Sequence, residues 1–282
     1  MITIIGYIIV TGSILAGYLY SHGQLELLWQ PAEFIIIFGA AFGAFIASGT
    51  AYSLKLAIKN LPQIFSAKTP NKAIYMQTLA LLYSLFTKMH REGIISIEKD
   101  IEDPLTSSLF QSFPIVAKDK LACYFIGDTM RTYLTTGNAN ELGSLMDTDL
   151  ESIKEELHIP PHNIGRMAES LPGMGIVAAV LGVVLAMAKI NEPPEVLGHY
   201  VGAALLGTFL GILLCYGFIG PIGAKMENML IERAAYFKCI REAVMGALRG
   251  LSPMVALEYG RRSIPPTYRP TFTEMENTLK GR

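Results

Sequence analysis

Charge is scarce in this 282-residue sequence: 17% of its residues are Asp, Glu, Lys or Arg, against 51% that are hydrophobic. An ordinary soluble domain carries about 25% charged residues, so the composition points to membrane insertion. Cysteine is scarce too. Cys123, Cys215 and Cys239 are too scattered for a disulfide framework or a paired metal motif, and read as small apolar packing residues in a reducing compartment. Neither sign of charge dominates: the formal net charge is −1 and no basic run occurs, which argues against a nucleic-acid partner. No Ser/His/Asp grouping, phosphate loop or nucleotide fingerprint is apparent, so neither an enzyme nor a cofactor is expected. His158 and His162 have helical i, i+4 spacing, but Pro160 and Pro161 between them argue against a helical metal pair. The N-terminus lacks a basic n-region and a clear small-x-small cleavage site, so the first apolar run is expected to be retained as a span.

What the sequence has instead is long runs without charge. Residues 1–20, 34–54, 171–188 and 200–224 contain no Asp, Glu, Lys or Arg. Each is near the ~20 residues a helix needs to cross the hydrocarbon core. Four transmembrane helices are predicted near 2–20, 33–53, 170–190 and 200–223, giving an all-α fold. All but one of the 23 basic residues fall in 55–168 or 224–282, the exception being Lys189 at a span's outer end. The positive-inside rule therefore places both stretches, and both termini, in the cytoplasm. The expected organisation is spans 1 and 2 in 1–54, a cytoplasmic helical domain in 55–168, spans 3 and 4 in 169–223, and a cytoplasmic tail in 224–282. His22 and His199 then lie on the outer side, solvated.

Within the cytoplasmic stretch, 72–91 has helical periodicity, with Ala73, Met76, Leu79, Ala80, Tyr83 and Phe86 on one side, and Gly93 breaks it. Ser96 is placed to cap a helix holding Glu98, Lys99 and Asp100 before Pro104. Two further amphipathic helices are predicted over 116–135 and 140–157. After the last span, 224–248 reads as a long helix. The rest of the tail, with Pro253, Pro265, Pro266 and Pro270, reads as extended chain.

The spans carry small residues at four-residue spacing: Gly39 and Gly43, Gly207 and Gly211, Ala178 and Gly182, Gly182 and Ala186. Such strips favour tight helix packing, expected between subunits. No ionisable residue lies deep in any predicted span; Glu33 falls at the outer mouth of the second and Glu169 at the inner mouth of the third. A chain that moved protons or charged substrates alone would need an intramembrane ionisable group, so another chain is expected to supply it. Pro172 and Pro221 are expected at one membrane level on antiparallel helices, freeing the carbonyls of Ala168 and Gly217. They read either as ordinary helix-end prolines or as a deformable polar ring. Thr208 is the main polar side chain of the fourth span, and threonine usually satisfies itself on its own backbone.

The segments "GYIIVTGSILAGYL", "WQPAEFIIIFGAAFGAFI", "KAIYMQTLALLYSLFTK", "SIEKDIEDP", "SLPGMGIVAAVLGVVLAM", "VGAALLGTFLGILLCYGFIGPIG" and "ALEYGRR" together resemble the MotA family, four-span stator subunits of the bacterial flagellar motor, over nearly the whole chain. The resemblance implies a homopentameric ring in the inner membrane around a dimer of a single-span MotB-type partner, which supplies the ion-binding aspartate. It implies that Pro172 and Pro221 lie beside that aspartate, that Thr208 faces the pathway, and that Glu98 engages the rotor protein FliG. Where the family often has arginine this chain has His90, followed by Arg91; without the resemblance, Lys88, His90 and Arg91 read as a solvated helix end. Sodium-driven relatives carry threonine where Ala179 stands, so protons are the expected ion. The alternatives are an energiser of the ExbB and TolQ type, which has three spans, and a stand-alone secondary transporter. The missing intramembrane charge and the lack of an inverted repeat weigh against the transporter.

Overall fold

The computed structural model describes residues 2–62 and 69–280. Lys68 and Arg282, counted above among the cytoplasmic basic residues, lie outside the described residues. The described chain is helical throughout, with no strand. It divides into two compact units, one of Met1–Ala67 and Leu157–Asn228, the other of Lys68–Glu156 and Met229–Arg282.

The first unit holds α1 (Ile2–Tyr20), the short α2 (Leu25–Leu28), α3 (Pro31–Ser48) and α4 (Ala51–Asn60). It also holds part of α10 (Ala139–Ala188), α11 (Pro194–Leu213), a π-helical segment (Leu214–Ile219) and the start of α12 (Gly220–Leu248). Four helices, Ile2–Tyr20, Leu25–Ser48, Ala139–Ala188 and Pro194–Leu248, are long and apolar enough to cross a membrane. The second span stops at Ser48, short of the expected 53. Gly49 is extended, and Thr50 and Ser53 form a capping box that starts α4 as a new helix: the Ser53 amide donates to the Thr50 hydroxyl at 3.2 Å.

The interior of this unit is made of small residues. A Cβ built on Gly211 would lie 2.7 Å from the Leu171 carbonyl oxygen and 2.9 Å from the Gly175 Cα. One built on Gly175 would lie 2.7 Å from the Gly207 carbonyl oxygen, and one on Gly182 would lie 2.8 Å from Ala204. The backbones of α10 and α11 therefore touch, and the strips at Gly207, Gly211 and Gly182 pack within one chain. The strip of α3 does not: a Cβ at Gly39 or Gly43 meets nothing within 4 Å. Ile37, Ala41, Ala168, Leu171, Ala178, Leu206 and Leu210 close the core.

The structure corrects the reading of 140–157 as a separate helix: α10 continues through Pro160, Pro161 and Pro172 without a stop. The missing amides of Pro160 and Pro161 are tolerated because Ile164 packs with Met226 against Leu61, Ile219 and Ile222, and Gly165 approaches Gly223 closely. His158 and His162 thus do share a helix face, rings stacked at 5.7 Å, with His158 Nε2 3.7 Å from Glu227 Oε2. Among the described residues, no group of three His, Cys, Asp or Glu comes together to hold a metal ion.

The second unit contains α5 (Lys72–Glu92), a 3₁₀ turn (Ile94–Ile97), α6 (Glu98–Glu102), α7 (Ser108–Gln111), α8 (Pro114–Ala117) and α9 (Lys120–Thr136). With them lie the rest of α10 and α12, then α13 (Pro253–Ser263) and α14 (Phe272–Lys280). Asn71 caps α5, and Gly93 ends it at φ 85°, a conformation that suits glycine. The expected helix over 116–135 is broken after α8, where Asp119 accepts the Ala122 amide and starts α9. That same carboxylate takes both terminal nitrogens of Arg233, whose guanidinium lies 4.8 Å from the Phe237 ring centroid. Tyr236 is wholly buried and shares a 3.0 Å hydrogen bond with Thr78.

The tail is helical rather than extended. Pro253 stands at the first turn of α13, where its missing amide costs nothing. Glu258 receives Arg261 at 2.6 and 2.7 Å and Arg262 at 2.7 Å, and Arg261 also donates to the Pro270 carbonyl. These hydrogen bonds, the Arg261 pair first, hold the Glu258 carboxyl below its usual range. Because the folded state lowers this pKa, its contribution is complete above the ordinary carboxylate range and is lost as pH falls through that range toward the folded value. Acidification is therefore expected to speed amide exchange in α13 and α14, and Glu258→Gln to remove that part of the acid response; hydrogen exchange at neutral pH and at pH about 3 checks both.

Candidate functional site

The membrane residues singled out in the sequence all lie in the first unit. Ala179 and Thr208 are half-buried and come to the same level: a Cβ built on Gly207, next to Thr208, would lie 3.0 Å from the Ala179 amide nitrogen and 3.1 Å from Ala178 Cβ. Pro172 is half-buried, and Pro221 is exposed one residue into α12. The two prolines are not at one level, which corrects the expectation. Leu171 faces Gly211 while Gly165 faces Gly223, so Pro172 and Pro221 are separated by about seven residues of α10, roughly 10 Å. The cause is the outer turn. It runs only from Lys189 to Pro193, so the antiparallel register centres a few residues before the middle of the loop left between the expected spans.

Pro221 follows the π-helical segment, and the Phe218 carbonyl inside that segment accepts the Tyr7 hydroxyl at 2.9 Å. Segments of this kind recur at functional sites. Sequence periodicity carries no signal for one.

Glu33 is the larger surprise. It occupies the first turn of α3, as expected of an outer-mouth residue, yet it is 7% exposed. A Cβ at Gly207 would lie 2.8 Å from Glu33 Oε2, and that oxygen is buried with no hydrogen-bond partner. Gly207 is thirteen residues, about 20 Å, inside α11. The mouth of one span thus abuts the middle of another, and a carboxyl lies inside the bundle after all.

The residues expected to face the rotor lie in the second unit. His90 and Arg91 occupy the last turn of α5, and Glu98 opens α6; all three are exposed. Two nearby charges, Lys88 and Asp100, are instead used within the fold. Lys88 Nζ meets Asp100 Oδ2 at 2.7 Å, Asp100 Oδ1 accepts the Ser107 hydroxyl at 2.7 Å, and Ser107 caps α7. Ser96 does not cap α6 as expected: its hydroxyl donates to the Gly93 carbonyl at 2.6 Å and the Lys88 carbonyl at 3.3 Å, closing the corner after α5. Gly127 of α9 seats the end of this segment, since a Cβ there would strike Pro104 Cγ at 2.5 Å. The Lys88–Asp100–Ser107 link was not read from the sequence, although spacing across a tight corner gives a weak hint of it.

These features define a four-span helical membrane subunit with a separate helical unit that carries outward-facing charge. Residues 4–93 match the family model for the N-terminal region of motility protein A, and residues 118–237 match that of the MotA/TolQ/ExbB proton channel family. Motility protein A of Salmonella typhimurium is 38% identical, covering 100% of this chain and 96% of that protein. The chain belongs to this proton channel family, on its motility protein A branch. Its fold is that of the chain in the C. jejuni MotAB structure (TM-score 0.78, 20% identity, 94% of this chain and 95% of that one). The flagellar MotAB stator complex from Bacillus subtilis is similar as well (TM-score 0.74, 19% identity, 99% and 98% covered).

Proposed function

We propose that this chain is the larger stator subunit of a flagellar motor, a channel component rather than an enzyme, embedded in the inner membrane with both termini in the cytoplasm. The observation that carries the reading is the 38% identity to motility protein A along the whole chain. In this reading, five copies ring a dimer of a MotB-type single-span partner, which brings the ion-binding aspartate. Residues 55–168 and 224–282 form the cytoplasmic part, and 1–54 and 169–223 the spans. Pro172, Ala179, Thr208 and Pro221 line the ion pathway, with Pro172 and Pro221 acting at separate depths. Glu98, His90 and Arg91 engage FliG, a role supported by their exposure beside a corner already held by other charges.

The ion in this reading is the proton. A hard metal cation gives up water only for several oxygen ligands, and Ala179 offers no side-chain oxygen. The test is swimming of a deletion strain at low and high sodium, with staining for filaments. Paralysed cells with intact filaments, rescued by the gene equally at both sodium levels, support a proton-driven stator. Rescue only at high sodium overturns the choice of ion. Cells that still swim but leak periplasmic contents or fail to import iron mean that the chain is an energiser of the ExbB and TolQ type.

A further inference from the structure

We propose that Glu33 is a proton-binding group of the conduction path, supplied by this chain in addition to any carboxylate on a partner, and that Gly207 is the gap that admits it to the seam between α10 and α11. The inference rests on the proton-channel reading above.

The carboxyl is 7% exposed and its Oε2 has no hydrogen-bond partner, in a setting where an unmatched polar atom is costly. Ionisable groups inside spans are rare and mark ion pathways. Its position is also specific. Of the glycines of α11, Gly207 is the one whose added Cβ would meet Oε2, and that residue adjoins Thr208 and lies against Ala179. A residue other than glycine at 207 would displace the oxygen, since even a Cβ would come within 2.8 Å. The other atoms an added Gly207 Cβ would meet are Ala178 Cβ and the Ala179 amide nitrogen, and neither is an oxygen that could help hold a metal cation. A proton needs no such shell.

The other titratable groups stand apart. Within α3 there is none besides Glu33. On α2 there is Glu26, exposed. On α11 there are Glu195, His199 and Tyr200, the nearest of them seven residues, about 10 Å, from Gly207. On the part of α10 in this unit there are His158, His162, Arg166 and Glu169, and Glu169 is ten residues, about 15 Å, from Ala179. None of them is hydrogen-bonded to Glu33 Oε2. Glu33 can therefore answer to proton supply without a fixed counter-charge. On uptake, a proton carried by water forms the Oε2–H bond; on release that bond breaks, a base accepts the proton, and the carboxylate is regenerated.

The test uses the complex of this chain with its single-span partner in proteoliposomes. Proton uptake under an imposed gradient is measured across pH for wild type, Glu33→Gln and Glu33→Asp, alongside infrared difference spectra of the same complexes. Glu33→Gln keeps the shape and cannot release a proton. It is expected to assemble, to cut uptake about a hundredfold and to lose one pH-sensitive carboxyl band. Glu33→Asp is expected to keep uptake with a displaced pH midpoint. Wild-type uptake and an unchanged pH profile in Glu33→Gln overturn the proposal. If Glu33→Gln fails to assemble, an unchanged midpoint and unchanged carboxyl band in Glu33→Asp overturn it instead. If the wild-type complex passes no protons, the channel reading fails, and the infrared titration alone decides whether Glu33 binds one.

Discussion

Glu98→Lys is expected to stop swimming while leaving the stability and membrane level of the protein unchanged. Glu98 is exposed at the start of α6, where its own side chain closes no corner of the fold. Exposed substitutions of that kind stay within about 0.5 kcal/mol. Reversal of the charge near Arg91 and Lys99 would tip a mixed patch toward positive, and an electrostatic grip on a rotor would be weakened or repelled rather than held. Two positions along, Asp100 has a different duty. Asp100→Ala removes the acceptor of both Lys88 and Ser107 and is expected to cost about 1–3 kcal/mol. Swimming speed measured with membrane protein level and denaturation midpoint separates the two. Loss of motility with normal protein in Asp100→Ala, or loss of protein in Glu98→Lys, would reverse the assignment.

Gly211→Val is expected to remove the protein from the membrane fraction altogether. The new side chain would begin 2.7 Å from the Leu171 carbonyl oxygen and 2.9 Å from the Gly175 Cα, both backbone atoms on a helix clamped again at Gly182 and Ala204. Overpacking commonly costs about 1–3 kcal/mol, and a contact with no flexible side chain to yield falls at or above the top of that range. Gly39→Val is the control, because its Cβ meets nothing within 4 Å. The single chain is expected to tolerate it. If that variant accumulates as monomer and fails to form the ring, the α3 strip is where one copy meets the next. Immunoblots of membranes with crosslinking read both.

The four spans were legible because uncharged length is a property of sequence alone. Their ends and register were not. Thr50 stops the second span through a hydrogen bond with Ser53, and the tight turn at Lys189–Pro193 fixes which residues of α10 and α11 meet. Both are local geometries that hydropathy averages away. Prolines misled the reading twice: Pro160 and Pro161 did not end α10, and Pro253 began a helix in a tail expected to be extended. In each case the cost of a missing amide is settled by packing or by helix position. Ala179 was named from the resemblance and Thr208 as the polar side chain of its span, and the two come to the same level. Glu33 was seen and assigned to the outer mouth, because depth along one helix says nothing about depth along its neighbour.

No residue of α1 is buried. Its grip on the rest of its unit includes the Tyr7 hydroxyl on the Phe218 carbonyl and Lys225 Nζ on the Thr3 hydroxyl at 2.8 Å. A helix of 19 residues is about 28 Å long, close to the hydrocarbon thickness of a bilayer. A bilayer of matching thickness would hold it at one height, and the Tyr7 bond ties that height to the π-helical segment just before Pro221. In a thicker or thinner bilayer the helix shifts or tilts to match, and the first bond under strain is the one to Phe218. Membrane composition thereby becomes a setting on the backbone next to Pro221.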